Sequence, residues 1–201
     1  MTTPREMEPL FAVGVQFSEI PDAEALNAEL KEEIGRIRGV VPNSIPEGWS
    51  CNLYTTVRSN LNVFDLPPFQ KLREHIVAEA NSFALGSGLN IAKHPLRLNE
   101  CWVNVYGQGD AQDVHLHRNS VLSGIYYVAA PPNCGELLFH SPVGDVMLEP
   151  PITQGNIFNA PIRNVIPTAG TMVLFRSWLR HSVKPTRGKE ERISVAFNLT
   201  M

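Results

Sequence analysis

Cysteine is scarce in this sequence. Of 201 residues only Cys51, Cys101 and Cys134 are thiols, an odd number at wide spacing. That argues against a disulfide framework and suits reduced thiols in a cytoplasm. No two of them form a C-x-x-C pair, so a zinc-binding motif is not indicated. Long apolar runs are missing too: no stretch approaches the ~20 residues that span a bilayer. The opening MTTPREMEPLFAVGVQF lacks a basic start followed by an apolar segment, so neither a secretory leader nor a membrane anchor is expected. Positive charge is not in excess, since 17 Lys and Arg stand against 20 Asp and Glu for a net charge of -3. Such a balance leaves no electrostatic footprint for wrapping nucleic acid. Repeats and low-complexity segments are absent. The expectation is a soluble, cytoplasmic protein.

What remains is an ordinary globular composition, 43% hydrophobic and 18% charged, at a length that fits a single domain over residues 1–201. Residues 1–96 read as a strand and helical support on the substrate side. The stretch LFAVGVQFSEI reads as a strand, and DAEALNAELKEEIGRI as an amphipathic helix. In that helix Asp22 is the expected N-cap, Ala25, Leu26, Leu30, Ile34 and Ile37 form the apolar stripe, and Gly39 ends it. Residues 40–66 read as a long loop with a short strand at NLYTTV. A second helix follows in PPFQKLREHIVAEANSFALGSG, with Pro68 near its start, Gly86 near its stop, and Phe69, Leu72, Ile76, Ala80 and Phe83 on its apolar face.

From residue 97 the texture changes to short Val, Ile, Leu, Tyr and Phe runs separated by Gly, Pro and Asn, which predicts strands. They fall near 97–106, 113–118, 121–130, 135–140, 155–158, 163–166, 171–176, 180–184 and 192–199. Residues 97–201 thus read as a jelly-roll core of about eight strands, with the two helices packed outside one sheet.

The stretch DVHLHRN places Asp113, His115 and His117 at alternate positions. In a strand such residues share a face, so the two imidazoles lie side by side and are able to chelate one ion. By itself a His-x-His pair also fits a hydrogen-bonded pair or a wet edge. Further on, His181 starts one apparent strand, and Arg192, Ser194, Ala196 and Asn198 line one face of the next. The other face, Ile193, Val195, Phe197 and Leu199, is apolar. An inward arginine needs a partner because an unpaired buried charge is costly. A carboxylate ligand supplies one, and a hydroxyl two residues later adds a donor.

His115-x-His117, the distal His181 and Arg192-x-Ser194, with SGIYYV, CGELLF and GTMVLF between them, resemble the Fe(II)/2-oxoglutarate-dependent oxygenase superfamily. The likeness spans about residues 97–199, and the layout closely resembles a family of 2-oxoglutarate/Fe(II) oxygenases of bacteria and phages with a prolyl-hydroxylase-like core. It implies a double-stranded β-helix of the jelly-roll, cupin-like kind. It implies His115 and His181 as iron ligands, Arg192 as the partner of the 2-oxoglutarate C5 carboxylate, and Ser194 as its hydrogen-bonding neighbour. Tyr106 and Tyr127 fall where such enzymes keep cosubstrate-facing tyrosines, and Asn104 shares the face of Tyr106. The implied cofactors are Fe(II), 2-oxoglutarate and dioxygen.

This chain departs from the superfamily in one place: His117 stands where the facial triad has a carboxylate. Three readings follow. His117 is the third ligand of a three-histidine site, Asp113 is the carboxylate in reversed order, or His117 is no ligand and iron is held weakly or not at all. The first is preferred, since a neutral imidazole is a competent ligand, with Asp113 then orienting a ring. Halogenation is disfavoured because His117 fills the position such enzymes leave open. His75, His94 and His140 read as solvated or structural, and Trp102 and Trp178 as core or pocket wall.

The expected function is a dioxygenase that hydroxylates a small-molecule or peptide substrate while 2-oxoglutarate is decarboxylated to succinate. The alternatives are a three-histidine dioxygenase that uses no 2-oxoglutarate, and a non-catalytic jelly-roll ligand-binding or structural module. No nucleic-acid or membrane partner is expected, and a homo-oligomer is left open.

Overall fold

The computed structural model describes residues 7–144 and 150–201. Among the described residues ten strands and two helices follow one another as β1 (Val15–Glu19), α1 (Ala23–Val40), β2 (Tyr54–Thr55), α2 (Pro67–Gly86), β3 (Arg97–Tyr106) and β4 (Gln112–His115). Then come β5 (Leu122–Ala129), β6 (Leu137–His140), β7 (Ile162–Val165), β8 (Thr171–Arg176), β9 (His181–Val183) and β10 (Arg192–Thr200). They form a six-stranded sheet in the order β1-β8-β5-β10-β3-β2 and a four-stranded sheet in the order β4-β9-β6-β7. Every pairing is antiparallel. The mainly β architecture with two helices outside one sheet agrees with the jelly-roll expectation.

Period-2 alternation splits the large sheet into two faces. Val103, Val105, Leu122, Tyr126, Val128, Met172, Leu174, Val195, Phe197 and Leu199 form one core with Leu26, Leu30, Ile34 and Ile37 of α1 and Phe69, Leu72, Ile76, Ala80 and Phe83 of α2. Fully burying a side chain of this size stabilises by about 1.5–3 kcal/mol, so the helices are held by their apolar stripes. The opposite face contributes Ile125, Tyr127, Val173 and Phe175 to a second core with Leu137 and Phe139 of the small sheet. Between the sheets lies the cavity described below.

The local expectations for α1 need three corrections. Asp22 flanks the helix with φ 51°, in the left-handed region, and its side chain makes no capping hydrogen bond. Gly39 lies inside the helix, which ends where Val41 turns extended at φ -104°, ψ 116°. Pro42 follows Val41 and its ring disfavours helical backbone there. Ala25 is exposed, and the buried polar Asn27 sits in the stripe instead. Asn27 is stabilised there by the Tyr126 hydroxyl, which donates to its Oδ1 at 2.8 Å.

The strand expected at 155–158 does not form; this stretch is turn and coil, and it is exposed. Its Asn residues explain the difference, since Asn156 Oδ1 accepts from Phe158 N at 2.8 Å and Asn159 Oδ1 from Asn156 N at 2.7 Å. Side chains that bond nearby backbone offer an alternative to a sheet ladder. The long 40–66 loop is present, with β2 inside it and one 3₁₀ turn at Val63–Asp65.

Candidate metal centre

Register brings the histidines together. His115, last residue of β4, pairs with His181, first residue of β9. His117 lies two residues beyond the end of β4 rather than within it, because the chain leaves the sheet after His115. Its backbone N–H donates to Ser177 O at 3.0 Å, which returns the ring to its neighbours. Ring centres are 5.2 Å apart for His115 and His117, 4.2 Å for His115 and His181, and 5.3 Å for His117 and His181. One ring nitrogen from each lies within 4.8 Å of the others. A single ion bonded to three imidazoles at about 2.0–2.1 Å each fits between nitrogens so spaced.

Two rings are oriented by main-chain carbonyls. His115 Nδ1 donates to Asp113 O at 2.7 Å and His181 Nδ1 to Leu179 O at 2.9 Å. A carbonyl only accepts, so both rings carry hydrogen on Nδ1 and keep the Nε2 lone pair free. Burial lowers the pKa of all three, that of His181 well below the ordinary value and that of His117 to about 4, with the neighbouring His115 adding to the shift at both. At neutral pH the three imidazoles are uncharged.

Asp113 is not in the cluster. Its side chain is exposed and accepts a hydrogen bond from Ser50 Oγ, because the β4–β9 pairing shifts register between Gln112 and His115. It still orients a ring as expected of a supporting residue, though through its main-chain oxygen rather than its carboxylate.

The cavity between the sheets is lined by these histidines together with Arg192, Ser194 and Tyr106. Arg192 is 1% exposed, and its guanidinium carbon sits 4.5 Å from the Tyr106 ring centre and 5.1 Å from that of Tyr127. Burial raises both phenols, so they remain neutral. None of the ion pairs among the described residues includes Arg192. Its Nε and Nη1, and Tyr127 Oη, have no hydrogen-bond partner. A buried guanidinium so placed is short of an anion.

Asn104 also lines the cavity. Its amide is satisfied with the oxygen accepting from Trp102 Nε1 at 3.1 Å and the nitrogen donating to Thr55 Oγ1 at 2.7 Å. Trp102 is a wall of the cavity, as expected, whereas Trp178 is 46% exposed. His75 and His94 stand apart from the cluster, and His140 Nε2 contacts Ser182 Oγ at 2.9 Å.

The sequence reading missed Trp49, Gln112 and Phe175 as lining residues. Trp49 comes from the 40–66 loop, whose approach is set by tertiary contacts such as Ser50 to Asp113 and Cys51 Sγ to Gln112 Oε1 at 3.6 Å. No local pattern marks it.

Residues 100–198 match the protein family described as "Putative 2OG-Fe(II) oxygenase". Among solved structures, the chain is similar to a Pseudomonas putida prolyl-4-hydroxylase at 17% identity and TM-score 0.57, covering 94% of each chain. It is similar to the non-heme alpha-ketoglutarate-dependent epimerase SnoN of nogalamycin biosynthesis at 17% identity and TM-score 0.64, covering 94% of this chain and 76% of that one. Similarity extends to HygX from Streptomyces hygroscopicus, solved with nickel, 2-oxoglutarate and hygromycin B, at 12% identity and TM-score 0.61, over 94% of this chain and 83% of that one. At these identities the structures show a shared fold. No curated protein matches by sequence. The matched residues 100–198, which carry the three histidines, Arg192 and Ser194, are similar to the 2OG-Fe(II) oxygenase family.

Proposed function

We propose that the protein is a non-haem Fe(II) and 2-oxoglutarate-dependent dioxygenase that hydroxylates a small-molecule or peptide substrate. One observation carries this: a buried guanidinium without a counter-anion shares a cavity with three neutral imidazoles whose ring nitrogens converge within 4.8 Å. The donor set fits the metal, since imidazole suits iron. The unpartnered Nε and Nη1 of Arg192 fit the far carboxylate of a dicarboxylic acid.

His115, His117 and His181 would hold Fe(II). Arg192 would take the C5 carboxylate of 2-oxoglutarate, with Ser194 as a further donor and the Tyr106 and Tyr127 rings fixing the guanidinium. Asn104, its amide already engaged, would act as wall. When bound, the two cofactors supply dioxygen activation, in which 2-oxoglutarate is decarboxylated to succinate and one oxygen atom passes to the substrate. The chain's own part is to bind, orient and exclude water, the last through Trp49, Trp102 and Phe175. A three-histidine site adds no negative charge, so a dianionic cosubstrate is the natural complement to the metal's two positive charges. We assign residues 1–96 to support and to the substrate side, in keeping with Trp49 at the cavity, and the three free cysteines suit a cytoplasmic setting. Among the described residues no helix is long and apolar enough to cross a membrane.

The substitution of histidine for the customary carboxylate favours a second reading, a three-histidine dioxygenase that binds its organic substrate on the metal and uses no 2-oxoglutarate. Calorimetric titration of anaerobic, Fe(II)-loaded protein with 2-oxoglutarate separates the two. The leading reading predicts saturable binding that Arg192→Ala weakens at least tenfold, the scale of one charged hydrogen bond, with iron retained. Iron bound without any heat from 2-oxoglutarate would favour the second reading, and failure to bind iron would leave a non-catalytic jelly-roll module.

A further inference from the structure

The three histidines are not held alike. His115 and His181 direct Nδ1 at carbonyl oxygens, but His117 Nδ1 lies 3.4 Å from Asn198 Nδ2, an amide nitrogen that can only donate. The orientation of that amide is fixed on chemical grounds. Asn198 Nδ2 also donates to Glu100 Oε2 at 2.6 Å, and Asn198 Oδ1 accepts from Ser123 Oγ at 2.7 Å. A carboxylate only accepts, so Glu100 keeps the nitrogen on the side it shares with His117. Sheet register builds the device, for Asn198 of β10 pairs with Glu100 of β3 on one side and Ser123 of β5 on the other. Asn198 is 1% exposed, whereas Glu100 sits at the exposed rim.

An N–H aimed at Nδ1 selects the tautomer with hydrogen on Nε2. With Nδ1 taken up by Asn198, Nε2 is the nitrogen left for the cluster, and in that tautomer it has no lone pair to give. We infer that Glu100 is a positioning residue that, acting through Asn198, holds His117 in the tautomer opposed to metal ligation, so that the third ligand joins only when the Asn198 amide turns over. The inference rests on the metal-centre reading above. After turnover Asn198 Oδ1 accepts from His117 Nδ1–H, and Asn198 Nδ2 donates to Ser123 Oγ. The Ser123 hydroxyl then donates to Ser177 Oγ, 2.8 Å away. Glu100, facing the amide oxygen, is left without its donor and turns to water. The site thus has two ligands set in advance and a third that metal binding must recruit.

The tests are ring-nitrogen NMR on the metal-free protein and Co(II) titration, on wild type, Glu100→Gln and Asn198→Asp. In wild type the His117 ring carries hydrogen on Nε2, while His115 and His181 carry it on Nδ1. In Glu100→Gln the side-chain amide is able to donate to the turned-over Asn198 oxygen, so the His117 hydrogen shifts toward Nδ1 and Co(II) binds about tenfold more tightly, the scale seen for groups that orient ligands. Asn198→Asp, which only accepts, shifts the hydrogen in the same direction. An effect of Glu100 through charge alone has the opposite sign, because loss of a negative charge weakens cation binding. Hydrogen on Nδ1 of His117 in the wild type, or Co(II) binding unchanged or weaker in Glu100→Gln, overturns the inference. Absence of Co(II) binding by the wild type overturns the metal-centre reading and this one with it.

Discussion

Protonation at the three histidines sets a pH dependence that the metal-free protein should display. Their pKa values are lowered, that of His117 from 6.5 to about 4. Between those limits the unfolded chain binds protons that the folded chain refuses, so stability rises with pH through this window and levels off above about 6.5. Thermal melts of the metal-free protein from pH 4 to 7 should show a steeper rise for wild type than for His117→Gln; parallel slopes would contradict the burial argument. At this scale the sequence was informative where a strand period applies. His115, His181, Arg192 and Ser194 stand where alternation along β4, β9 and β10 puts them. Asp113 orients the His115 ring through its main-chain oxygen, while its side chain turns outward where the β4–β9 register shifts. His117 joins the cluster from beyond the end of β4, not from within a strand over 113–118. Asn198 lay on the polar face of β10 in plain view, but its partner Glu100 is 98 residues distant in sequence and only pairing reveals the link.

Close approach between strands controls the placement of His181. A Cβ on Gly135, just ahead of β6, would lie 2.1 Å from Lys184 O, beyond the end of β9. Backbone cannot yield as a side-chain tip does, so Gly135→Ala should destabilise by about 1–3 kcal/mol and loosen the β6–β9 pairing that holds His181 opposite Phe139. Denaturant midpoints and Co(II) affinity measure both effects; a neutral Gly135→Ala would show that the two strands are free to separate. Strands with strong β-branched and aromatic runs were legible, β3 and β8 to the residue. The 155–158 strand failed because asparagine side chains bond the local backbone. The end of α1 is set by the residue before Pro42 rather than by Gly39, a competition that a list of helix breakers does not rank.

For the whole molecule, the large sheet serves two functions at once. One face packs on α1 and α2, and the other carries the cavity. This division is readable from β10, where Ile193, Val195, Phe197 and Leu199 alternate with Arg192, Ser194, Ala196 and Asn198. The loop carrying Trp49 was not readable, since its path depends on contacts across the fold.

The central claim is that three histidines and one arginine hold Fe(II) and 2-oxoglutarate in a single cavity. Anaerobic addition of 2-oxoglutarate to Fe(II)-loaded protein, followed by visible absorption, tests it most directly. The account predicts a charge-transfer band that saturates at one equivalent per chain, is lost in His181→Ala with the iron, and moves to at least tenfold higher 2-oxoglutarate in Arg192→Ala. Iron bound at full occupancy with no band at any 2-oxoglutarate concentration would contradict it.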